Sequence, residues 1–181
     1  MCGVVGSWRV ELIEAHRDLF QPPADFPGAA QGSPECDAGW RELLDRLCVR
    51  IRAIVQADGG TFKFSQIKEK YGTLRVYWDG SLSPDADAQV EEAIALAEAR
   101  SAVTCEVCGE EGRLRAGAWL TTRCEAHSED RPSVEHRSGL ENVHLVRHFA
   151  DGRRFVTCRR YDRQNDVFVD VDPATLGIEE D

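Results

Sequence analysis

Residues 105–127 read CEVCGEEGRLRAGAWLTTRCEAH. Four of them, Cys105, Cys108, Cys124 and His127, have the spacing of metal ligands, C-x2-C-x15-C-x2-H. Each close pair can bind one ion from a tight turn. The stretch between the pairs is long enough for a short hairpin, Arg113–Arg115 against Ala118–Thr122. Zn²⁺ takes four soft or borderline ligands in a tetrahedron, and three cysteines with one histidine form a standard structural set. Gly109 follows Cys108 directly, where the backbone of such a knuckle turns sharply and takes φ > 0. Two unrelated cysteine pairs, or a disulfide, are the alternative reading of the same residues. A four-ligand zinc site has no open position for a catalytic water. The motif therefore predicts a zinc-stapled fold and leaves activity open. Trp119, between the ligand pairs, is expected to cover the site or dock it on a helix.

On the N-terminal side, the clearest element begins at Ala38. Trp40, Leu43, Leu44, Leu47, Cys48, Ile51, Ile54 and Val55 fall on one helical stripe, with arginines and acids mainly elsewhere. Asp58-Gly59-Gly60 ends that helix. Two strands follow, 61–68 and 74–78, joined by Glu69-Lys70-Tyr71-Gly72-Thr73. The second strand alternates cleanly. In the first, the apolar parity shifts between Phe64 and Ile67, which predicts a bulge or an early end. Pro84-Asp85 opens a helix over 86–101 that feeds into Cys105. Upstream, Ser7 precedes an N-capped helix running to Phe20. The proline-rich residues 21–37 read as a loop.

Beyond the metal motif, 128–138 is polar and loop-like, and 142–149 has no decisive period. Residues 154–161 and 166–171 read as a last hairpin around Asp162-Arg163-Gln164-Asn165. The expected fold class is α+β: a helix–hairpin–helix core over 1–101, a zinc ribbon over 102–130 packed on it, and a C-terminal extension over 131–181 with a β-hairpin and acidic tail.

The 181-residue chain is 42% hydrophobic with a formal net charge of -10. It has no apolar run of membrane-spanning length. Met1 to Phe20 contains Glu11, Glu14 and Asp18 and lacks a continuous apolar stretch, so it does not read as a secretory signal. A cytoplasmic protein is expected, with Cys2, Cys36, Cys48 and Cys158 as free thiols. Seven acids lie in 162–181 against Arg163 alone. This strip reads either as a solubilising tail or as a surface for a basic partner.

Other chemistry-bearing groups are weaker. Lys63, Lys68, Lys70 and Arg75 are interleaved with Tyr71 and Tyr77, a composition that can bind phosphates and stack bases. A charged hairpin turn is the plainer reading, and the net charge disfavours general nucleic-acid binding. His136, Asn142 and His148 follow the ribbon in the order of a His-Asn-His nuclease, but their spacing is too short. These histidines and His144 read as surface or core-edge groups, and Cys158, flanked by Arg159 and Arg160, as a packed strand residue.

Gly39-Trp40, Leu43-Leu44-Asp45-Arg46-Leu47-Cys48, Gln66-Ile67-Lys68-Glu69-Lys70-Tyr71-Gly72 with Leu74-Arg75, and the Cys105/Cys108/Cys124/His127 set together resemble a family of small bacterial and phage-associated proteins. The resemblance covers residues 8–127, implies a compact α+β unit with a zinc ribbon, and supplies no activity. The leading expectation is a non-enzymatic, zinc-stabilised binding protein that engages a protein partner with a basic surface, such as a toxin or effector that it neutralises. The runners-up are a nucleic-acid-associated zinc-ribbon protein and a metal-dependent His-Asn-His-like nuclease.

Overall fold

The computed structural model describes residues 7–135, 139–150 and 153–178. The fold is mixed α+β, with four α-helices and three small sheets among those residues. The helices are α1 (Trp8–Ala15), α2 (Arg17–Phe20), α3 (Arg41–Asp58) and α4 (Pro84–Ser101). The first sheet orders β1 (Pro34–Glu35), β2 (Thr61–Lys70) and β3 (Thr73–Ser81). The second pairs β4 (Arg113–Arg115) with β5 (Thr121–Arg123). The third orders β6 (Val143–Ala150), β7 (Arg153–Asp162) and β8 (Val167–Val171).

The stripe on α3 forms the centre of the core. Leu43, Leu44, Leu47, Cys48 and Ile51 are buried, and Ile54 and Val55 are partly buried against the same cluster. Phe62, Phe64, Ile67, Leu74 and Val76 of the β2–β3 hairpin complete it, with Val90, Ala93, Ile94 and Ala97 of α4. Phe62 stacks on Trp78 at 5.0 Å and meets Phe64 edge-to-face at 4.9 Å. Gly59, at φ +77°, caps α3 by donating its N–H to the Val55 carbonyl.

The expected bulge lies between Phe64 and Gln66. It absorbs one residue, so Phe62, Phe64 and Ile67 all face the core although their spacing breaks the period of two. Tyr71 and Gly72 form the two-residue turn, both with positive φ (56° and 80°), as the right-handed strand twist demands. Gly72 is required twice over: a Cβ there would also collide with the Leu114 side chain of the ribbon.

Three expectations are corrected. Ser7 makes no side-chain cap, and the N-terminal helix breaks at His16. The reason is the His16 ring, which is buried and held between Asp45 Oδ1 at 2.7 Å and the Arg52 guanidinium at 2.8 Å. The 21–37 loop contributes β1, a short parallel partner for β2 at Ile67 and Lys68. Finally, 142–149 is a strand: β6 joins the expected hairpin and makes a three-stranded sheet.

That third sheet is fastened to the helices by Asp166. Its carboxylate accepts from the Tyr161 hydroxyl at 2.6 Å and from Arg50 of α3 at 2.7 Å. Arg100 of α4 approaches within 3.5 Å, and Arg159 of β7 pairs with Glu92 of α4 at 2.8 Å.

Candidate metal centre

The four predicted ligands come together. Cys105 and Cys108 leave α4 through a tight turn in which Gly109, at φ +83°, donates its N–H to the Cys105 carbonyl at 2.9 Å. Cys124 directly follows β5, and a single 3-10 turn, Glu125–His127, swings the imidazole back. The donor atoms all lie within 4.8 Å of one another. Cys108 Sγ is 3.7 Å from Cys124 Sγ, and His127 Nδ1 is 3.2 Å from Cys124 Sγ and 3.7 Å from Cys105 Sγ. With Zn–S of about 2.3 Å and Zn–N of about 2.0 Å, a tetrahedron has S···S edges of about 3.8 Å and S···N edges of about 3.5 Å. The set therefore fits one small ion, with Nδ1 facing the thiols.

The local electrostatics favour ionisation of one thiol first. Burial opposes ionisation of Cys105, but the backbone N–H groups of Cys124, Cys108 and Val107 outweigh it and lower this thiol to about 6. The Glu110 N–H favours the Cys108 thiolate, but burial and the neighbouring Cys105 and Cys124 outweigh it and push this thiol up to about 11. Without an ion, three close sulfurs share negative charge poorly; a bound cation removes that conflict by ionising them together.

The centre is built into the core. Trp40 Nε1 donates to the Thr104 carbonyl at 2.9 Å, one residue before the first ligand. The Gly39 N–H donates to the Glu106 carbonyl at 2.7 Å, and the Glu106 carboxylate accepts from the Asp37 N–H at 3.1 Å. A Cβ at Gly39 would overlap the carbonyls of Cys105 and Glu106. Gly39 was visible in the sequence only as part of a motif; its role depends on this close approach. On the far side, Thr122 Oγ1 donates to the Gly72 carbonyl at 2.5 Å. Buried Arg115 reaches the Glu125 carboxylate at 2.7 Å and the Arg131 carbonyl at 3.4 Å, bracing the second ligand turn.

Trp119 is placed differently from expectation. It is 62% exposed, away from the ligands, with the Arg131 guanidinium 4.7 Å from its ring centroid. The chain turns through 116–119 before β5 begins at Thr121, which carries the indole out to the ribbon tip.

The remaining groups of interest separate. His136 and the side chain of His148 lie outside the described residues. Asn142 has φ +57°, and its carbonyl accepts from the Tyr161 N–H at 2.9 Å. His144 packs edge-to-face on Phe168 at 5.1 Å, and burial with the nearby Arg159 lowers its pKa. Burial raises the thiols of Cys36 (to about 12), Cys48 and Cys158, so they are packing groups at neutral pH. Cys2 and the last three residues, 179–181, lie outside the described residues. Within the acidic strip, Asp166 is buried among arginines, Asp162 caps its own turn and Asp172 caps the final 3-10 helix. Asp170 is exposed. No helix among the described residues is long and apolar enough to cross a membrane.

No protein-family model matches the chain, and no match was found among curated proteins or solved structures.

Proposed function

We propose that the protein is a non-enzymatic binding protein whose Cys105/Cys108/Cys124/His127 centre holds one structural Zn²⁺ and whose partner is another protein. The observation that carries this reading is the closed donor set. Four clustered protein donors are enough to complete a tetrahedron around one ion, which would leave no position for substrate or water. Thiolate and imidazole donors favour zinc over hard cations such as Mg²⁺ or Ca²⁺. The ion's contribution is to cross-link two turns that are themselves bonded to the core.

A basic partner finds its complement on the exposed surface of α4, where Asp87 and Glu91 lie one turn apart and Asp85 stands in the first turn. Asp170 adds to the acidic surface at β8. A partner of the toxin or effector type fits this role, since a rigid acidic face can steer and cover a cationic site.

The test has two arms. The purified protein is incubated with single- and double-stranded DNA and RNA in Mg²⁺ or Mn²⁺, and no cleavage is expected. Cleavage that disappears in a His136→Ala, His148→Ala double variant would replace this reading with the nuclease. In the second arm, a partner captured from cells is purified and recombined with the protein. Binding that weakens when Asp85, Asp87 and Glu91 become Asn, Asn and Gln supports the reading; indifference to those changes refutes the acidic face.

A further inference from the structure

The protein has only three lysines, Lys63, Lys68 and Lys70, and all lie on β2. The bulge at Phe64/Gln66 determines how they are arranged. In a regular strand Lys63 would face opposite to Lys68 and Lys70; the extra residue returns all three to the face turned away from the core. Opposite them on β3 stand Asp79, Arg75 and Thr73, with Tyr77 across from Gln66. The surface arginines are mostly engaged: Arg17, Arg41, Arg46, Arg52 and Arg123, for example, each pair with an acid. None of the three lysines forms an ion pair with a described residue. Lys68 lies 5.3 Å from the Tyr77 ring centroid and bonds Gln66 Oε1 at 2.8 Å; Lys70 lies 5.3 Å from the Tyr71 ring centroid.

At the end of this strand the hairpin turn meets the ribbon tip. Tyr71 and Trp119, far apart in sequence, flank an open cleft of about 530 Å³ that Lys70 and Leu120 also line. The rings are 67% and 62% exposed, far more than large aromatics without a partner usually are. Arg131 sits beside Trp119 at 4.7 Å, so both rings carry a cation. Glu69, the acid in the cleft, has one carboxylate oxygen engaged by the Gly72 N–H at 2.5 Å.

From this arrangement we infer that the outer face of β2–β3 and the Tyr71–Trp119 cleft form a binding surface for single-stranded nucleic acid. Bases stack on Trp119, Tyr71 and Tyr77, and phosphates track along Lys70, Lys68 and Lys63. Unpaired cations interleaved with exposed aromatic rings are the composition such surfaces require. The lysines span about 20 Å of strand, suited to a short site of roughly four nucleotides. A duplex hides its bases from such rings and is not accommodated. The net charge of -10 does not prevent this, because at 0.15 M salt charges beyond about 8 Å are screened. Exposed Glu35 of β1, beside Lys68, and Asp79, opposite Lys63, limit affinity, and the lysine–phosphate contacts make it salt-sensitive. The inference goes beyond the protein-binding reading and does not depend on it.

Fluorescence anisotropy of a labelled oligo-uridine or oligo-thymidine of about eight nucleotides, titrated with the full chain at about 50 mM salt, tests it. Binding is expected, with the matching duplex bound more weakly. Trp119→Ala should weaken binding on the order of tenfold, and Trp119→Phe should restore most of it. Tyr71→Asn, which tolerates the turn's positive φ, should act in the same direction. Lys68→Gln with Lys70→Gln should reduce the slope of log K against log salt by about 1.4. Circular dichroism checks that each variant is folded. No binding of either oligonucleotide would overturn the inference, as would binding that Trp119→Ala leaves unchanged. Equal competition by polyglutamate would also overturn it, because the surface would then recognise acidic chains of any kind.

Discussion

At the residue scale, single atoms decide how the pieces join. Gly39 is the clearest case, since any side chain there meets the carbonyls of Cys105 and Glu106. Gly39→Ala should cost roughly 1–3 kcal/mol, the usual range for overpacking, and should loosen the metal site with it; urea denaturation and metal retention would read both effects. Asp166 is a second case. Burial pulls its carboxyl upward, but the Tyr161 hydroxyl and the Arg50 and Arg100 cations outweigh that and hold it below the ordinary carboxylate range. A depressed folded-state pKa means that this stabilisation is present in full above the unfolded value of about 3.9 and is lost as pH falls through the folded value. Asp166→Asn should therefore destabilise the protein at neutral pH by on the order of 2 kcal/mol, discounted because Arg46 and Arg50 remain partly in water. The difference from wild type should shrink in acid. A variant equally stable at pH 7, measured by thermal unfolding, would show that the third sheet is not fastened there.

At the element scale, the parts readable in the sequence are those set by local periodicity and spacing. The α3 stripe, the β2–β3 hairpin and the parity break in β2 follow from side-chain direction alone; the structure shows all three, with longer strands that leave only Tyr71 and Gly72 of the expected 69–73 link as the turn. Leu47, fully buried on α3, should cost about 2–5 kcal/mol on truncation to Ala, seen as a lower urea midpoint. A wild-type midpoint would mean that the helix buries another face. The elements that were not readable depend on distant partners. β1 is two residues long and exists because β2 offers an edge to it. β6 has no clean alternation of its own and is defined by pairing with β7. The break at His16 arises from α3, whose Asp45 and Arg52 claim the ring. Trp119 differs for a local reason: a large apolar residue near a metal site suggests a cover, but the turn ahead of β5 points it outward.

Over the whole molecule, the ribbon and third sheet are bound to the core by different means. The Gly39 N–H to the Glu106 carbonyl and the Thr122 hydroxyl to the Gly72 carbonyl hold the ribbon, and a carboxylate among arginines holds the sheet. The ligand set itself was legible from spacing, because a chelating pair needs only a tight turn on each side. How that set joins the core was not, since Trp40 and Thr104 are 64 residues apart. The central claim is that one Zn²⁺ at Cys105, Cys108, Cys124 and His127 completes this framework. Structural zinc binding couples to folding with apparent energies of roughly 10–16 kcal/mol in small domains. Metal analysis of the purified protein, paired with hydrogen exchange before and after chelation, tests this most directly. The account predicts one zinc per chain and a loss of amide protection centred on 104–127 when the ion is removed. Protein that contains no zinc, has all four ligands free and keeps full protection across that segment would contradict it.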